Sequence, residues 1–176
     1  MAQTIHDSRA HPASRIPVAT ITHVNGYPLA VSTVVRQLRR RWQLVLHALH
    51  EHNVKVPVIG PLLGEERGPF TQLTVLSAHA LRLVLESHRD WFEGVVLVFD
   101  ATVEANALHH RLVHHVFQSR YTHDPPVVVF YGAPASVVAR SLHESRVAVG
   151  WVRTCPAEAL QTGIPPTNWV PVAEDP

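Results

Sequence analysis

Histidine is the residue with the most chemistry to offer in this chain, at fourteen of 176 positions. The densest run is HHRLVHH, holding His109, His110, His114 and His115. A metal needs imidazoles on one face, as an i,i+4 pair on a helix provides. At about 100° per residue only His110 and His114 meet, on the side away from Leu108, Leu112 and Val116; His109 and His115 flank that stripe. Two ligands with no Cys, Asp or Glu beside them make an adventitious site at most. His110 and His114 are therefore the candidates for metal contact, and neither a physiological metal nor another cofactor is expected. A second group, His47, His50 and Glu51, falls at the end of a helical pattern. There His47 and Glu51, four apart, can pair, and a cation is favoured by about 0.3–1 kcal/mol.

Asp100 closes the apolar run VVLVFD. That is the carboxyl end of a buried strand, where open α/β sheets put their ligands. A carboxylate there can accept a phosphoryl group or orient a ligand, and it can equally cap the turn that follows. The favoured reading is a helix-initiating aspartate whose oxygen caps the next turn, because no acidic companion is in sight. The second acidic residue that phosphatases with an aspartyl nucleophile carry two positions on is replaced by Thr102. Cys155 is the lone cysteine, which excludes an internal disulfide and a cysteine-rich zinc site. Nothing in the sequence brings a particular histidine to it, so a buried or half-buried thiol is expected. Neither GxGxxG nor GxxxxGK[ST] occurs, and Ser136 does not sit in a GxSxG elbow.

Charge narrows the partners. The formal net charge is +1, charged residues are 16% and hydrophobic residues 46%, so no basic face invites nucleic acid. Arg39, Arg40 and Arg41 point in different directions around a helix. Met1 to Pro17 has no apolar signal-peptide core, and no window reaches the ~18 apolar residues of a membrane span. A cytoplasmic protein without membrane contact is expected.

These residues need elements to position them. Residues 1–15 read as a flexible leader and 16–163 as a single α/β domain, with 54–70 as an insertion loop and 164–176 as an extended Pro-rich tail. Ile16 to Val24 is rich in β-branched residues and ends at the turn signal Asn25-Gly26. From Val31 to Asn53, Val31, Val34, Val35, Leu38, Trp42, Val45, Leu46 and Leu49 form one apolar stripe opposite Arg36, Arg40, His47 and Glu51. Val54 to Ile59 fits a short strand. Gln72 to Leu76 reads as a strand, with Ser77 capping a helix that runs to His88. Val95 to Phe99, Val127 to Phe130 and Val147 to Val152 read as strands, separated by helices over Ala105–Tyr121 and Ala135–Glu144. Pro156 suits the first position of a short final helix. Strands that are apolar on both faces and alternate with helices predict a three-layer α/β/α sandwich. Its sheet should be mostly parallel, with five or six strands.

Five passages resemble the receiver domain of bacterial response regulators, a flavodoxin-like fold. In THVNGYPL a strand ends in a polar pair with Pro28 soon after. In LTVLSAHALRLVLE a strand runs into a small cap and a helix. VVLVFD ends at Asp100, which matches the phosphoacceptor position. PPVVVFYGAPASVV and GWVRTCPAEAL match a receiver's hydroxyl position and its Lys-Pro step. The departures fall on the chemistry: Asn25 and Gly26 replace the acidic pair, Tyr131 or Gly132 the hydroxyl, and Cys155 or Arg153 the lysine. Phosphoryl transfer needs a metal and a cation to hold the charge, so the resemblance implies a degenerate pseudo-receiver with an inactive Asp100.

The expected function is therefore a non-catalytic regulatory or scaffolding module working through protein contacts, with homo-oligomerisation among them. The first alternative is an enzyme or small-ligand binder at the sheet's carboxyl edge around Asn25, Asp100 and Tyr131. The second is a structural subunit of a larger assembly.

Overall fold

The computed structural model describes residues 3–6, 18–22, 31–60, 71–118 and 121–155. The elements run in the order β1 (Gln3–His6), β2 (Val18–Thr22), α1 (Val31–Glu51), β3 (Val56–Ile59), α2 (Thr71–Ser87), β4 (Val95–Asp100), α3 (Asn106–Gln118), β5 (Val127–Gly132), α4 (Ala135–Glu144) and β6 (Val149–Cys155). The heart of the fold is a parallel sheet with helices on both faces, the α/β class expected from the alternation of apolar strands and helices. In-register parallel pairs join β6 to β3, β3 to β4 and β4 to β5. Beyond β6, β2 adds in parallel and β1 pairs antiparallel with β2, so the order is β1-β2-β6-β3-β4-β5.

Helix α1 forms because its apolar residues recur at three and four. Leu38, Trp42, Val45, Leu46 and Leu49 are buried, while Arg36, Arg40, His47 and Glu51 stay exposed. Trp42 donates its indole N–H to Ser77 Oγ at 3.0 Å, so its polar atom is satisfied inside the core. Of the three consecutive arginines, Arg39 and Arg40 face solvent and Arg41 is buried. Burial lowers the Arg41 pKa from its ordinary value.

Three expectations change here. Gln72–Leu76 is not a strand but the first part of α2. The buried face of that helix is Thr74, Ser77, Ala78, Leu81, Val84 and Leu85, and its small or hydroxyl-bearing first members hid the helical stripe. Ser77 is accordingly a buried mid-helix hydroxyl rather than a cap. Val56–Ile59 is an interior strand between β6 and β4, so an insertion can begin no earlier than Gly60. Gln3–His6, expected in a flexible leader, pairs with β2. The remaining leader residues, most of the 60–70 loop, the helix expected from Pro156 and the 164–176 tail lie outside the described residues.

The two faces of the sheet are covered unequally. Helices α1, α2 and α3 pack on one face against Ile59, Val95, Leu97, Phe99 and Val152. Of the described helices, α4 alone packs on the other, through Ala135 and Ala139 against Val58, Val98 and Val149. Helix α4 touches β3, β4 and β6. The reason lies in the connections: steps from β2 to β5 run one way along the sheet and the last step runs back. Right-handed crossovers then send α4 to the opposite face. The return places β6 inside the sheet, whereas the flavodoxin-like order 2-1-3-4-5 puts the last strand at an edge.

Candidate functional site

Asp100 is the last residue of β4 and half-buried. Its Oδ1 accepts the Thr102 backbone N–H at 2.9 Å and the Thr102 hydroxyl at 2.7 Å. Its carbonyl accepts Val103 N–H and, at 3.0 Å, the Asn106 amide. The carboxylate thus closes the turn after β4, but it does not start the helix, since α3 begins at Asn106. The register sets Asp100 opposite Gly132 and Phe99 opposite Tyr131. Here α3 and α4 leave neighbouring strands for opposite faces, which is where a crevice opens in sheets of this class.

Of the expected pocket, Tyr131 lies on the strand next to Asp100, and Cys155 does not. Asn25 and Gly26 lie outside the described residues, but β2, the strand before them, is separated from β4 by β6 and β3. Three strand spacings are roughly 14 Å, so the end of β2 is not a neighbour of Asp100. In the receiver arrangement the corresponding strands are adjacent. Cys155 ends β6 in register with Thr22, two strands from β4; its side chain lies outside the described residues.

The histidine run divides by depth. His109 is 2% exposed and sits among the inward residues of α3 with Asn106, Val113, Val116 and Phe117. Leu108, expected in the apolar stripe, is exposed. The helix is rotated from the expected orientation, so His109 lies at the centre of the buried face rather than on its flank. His110 and His114 do stand together, with ring centroids 6.1 Å apart. His110 Nε2 lies 3.0 Å from the Val129 carbonyl oxygen, and its ring 5.5 Å from that of Tyr131. Among the described residues no group of three His, Cys, Asp or Glu side chains could hold a metal ion. His47 and Glu51 pair at 3.4 Å on the exposed face of α1. His88 stacks on Trp91 at 3.7 Å, and His50 stacks on Trp91 at 5.3 Å.

A feature that residue patterns did not reveal lies beside Tyr131. Among the described strands, β5 ends the sheet. Carbonyls of Pro126 and Gly132 accept N–H groups from the β4 side, so even-numbered residues direct their backbone groups at β4. Val127, Val129 and Tyr131 direct theirs outward, as the His110 contact with the Val129 carbonyl also shows. On the α4 face, Val128 and Phe130 are 55% and 36% exposed, and Tyr131 is 42% exposed at the strand's end. Gly132 gives the Phe130 ring its place, since a Cβ there would come within 2.8 Å of Cζ. The run VVVF reads as doubly buried, and only the strand order exposes one of its faces.

No family model matches this chain, and no curated protein or solved structure does either. No helix among the described residues is long and apolar enough to cross a membrane.

Proposed function

We propose that this chain is a non-catalytic regulatory or scaffolding module acting through protein contacts, and that β5 is the contact element. One observation carries this reading: β5 combines an outward row of backbone hydrogen-bonding groups with exposed Val128, Phe130 and Tyr131. An edge strand of this kind is a template for pairing with another chain, and natural proteins usually blunt it with charge or proline. Residues 127–132, VVVFYG, contain neither. Of the receiver resemblance, the proposal keeps the contact role and leaves out phosphoryl transfer. Asp100 is engaged with Thr102, and the strand that would bring a metal-binding pair ends three spacings away.

The rival reading, a small-ligand site at the carboxyl edge, draws on the meeting of Asp100 and Gly132 where α3 and α4 diverge. A subunit role in a larger assembly would use the same β5 surface. Affinity capture from the native host with wild type and Val128→Lys separates the two contact readings from the small-ligand reading. The proposal expects a protein retained by wild type and depleted at least tenfold with the variant. Identical retained sets on both baits would overturn it.

A further inference from the structure

We propose that the occupant of the β5 edge is a second copy of this chain, joined by antiparallel β5–β5 pairing about a twofold axis at Val129. The inference rests on the contact reading above and adds the partner and the register.

The outward residues Val127, Val129 and Tyr131 supply the backbone groups. With the axis at Val129, Val129 faces its own copy and Val127 faces Tyr131, in hydrogen-bonded pairs. Val128 and Phe130 then fall opposite each other in non-hydrogen-bonded pairs, where side chains approach more closely. An aromatic residue against a β-branched one is a favourable cross-strand pair. Both residues are exposed in the single chain, and the twofold buries each against the other twice. Centring the axis on Val128 or Phe130 gives only like-with-like contacts at the centre and fewer backbone pairs.

Charge agrees with self-association. The strand holds no ionisable side chain except the Tyr131 phenol, so no like charges meet across the axis. A partner with a charged strand would leave those charges facing Val128 and Phe130. The His110 contact does not block the pairing, because the Val129 carbonyl oxygen has two lone pairs and can accept the partner's N–H as well. On the α4 face Val128 and Phe130 are exposed, and among the described elements α4 packs chiefly on β3, β4 and β6. A pair of six-residue strands with few apolar side chains sits at or below the low end of specific interfaces, about 1,200 Å². The dimer should therefore be weak, with Kd on the order of 10–100 μM.

Sedimentation velocity on the full chain from about 5 to 500 μM tests this, spanning the Kd expected from that interface size. Wild type should show a reversible monomer–dimer equilibrium. Val128→Lys and Phe130→Glu should each raise Kd at least tenfold, and Val128→Lys should leave the thermal midpoint unchanged. The double variant Val128→Lys/Phe130→Glu should recover dimerisation, because only the Val129-centred register sets the introduced lysine against the partner's introduced glutamate. Registers centred on 128 or 130 set like charges together. A wild type that stays monomeric throughout would overturn the inference, as would a Val128→Lys variant that dimerises like wild type. A double variant that stays monomeric would overturn the register. A monomeric wild type that still loses a captured protein on Val128→Lys would leave the contact reading intact, so the two failures are distinguishable.

Discussion

His109 lies inside the protein, and burial lowers its pKa from the ordinary 6.5. His79 is shifted the same way, first by burial and then by the nearby Arg82 cation. A histidine whose pKa falls on folding binds fewer protons folded than unfolded, so stability rises with pH across its titration. The contribution is complete above about pH 6.5 and is lost as pH falls through the depressed folded value. Denaturant unfolding between pH 7.5 and 5 should show wild-type stability falling with acidity. His109→Gln should fall less steeply, the residual slope coming from His79 and other groups; parallel profiles would contradict the assignment. At this scale the sequence was partly legible. The proximity of His110 and His114 followed from spacing. The burial of His109 did not, because a polar residue at the centre of a helix's inward face defeats a hydrophobic-stripe reading.

Elements formed by strong periodicity match their expected spans closely, as α1 and α4 do. Those formed by ambiguous apolar runs do not. Leu73, Val75 and Leu76 suit a strand as well as a helix, and only the burial of Thr74, Ser77 and Ala78 against neighbouring helices decides for α2. Strand β6 makes the point in energetic terms. Gly150 lies under the end of α1, where an added Cβ would come within 2.8 Å of Leu49 Cδ2 and 2.9 Å of Val54 Cγ2. That crowding exists because β6 runs inside the sheet. Gly150→Ala should therefore cost about 1–3 kcal/mol by overpacking, measured by urea denaturation. A change below about 0.5 kcal/mol, the range of ordinary surface positions, would contradict an interior β6.

At the scale of the whole molecule, the α/β class and parallel sheet were legible, because apolar strands alternating with long helices have few other ways to bury both faces. The strand order was not. It is set by how far each crossover travels along the sheet, which local residue patterns do not encode. That order separates β2 and β6 from β4 and, among the described strands, leaves β5 as an edge. The account turns on this open edge, and amide hydrogen exchange by NMR in dilute solution reads it most directly. In the parallel register, Val128 and Phe130 N–H groups bond to β4, while those of Val127, Val129 and Tyr131 face outward. The expected result is a period-two pattern along β5: slow exchange at Val128 and Phe130, and fast exchange at Val127, Val129 and Tyr131, becoming protected as concentration rises. Uniform protection of all five at the lowest concentration would show that the edge is already covered within one chain, and would contradict the account.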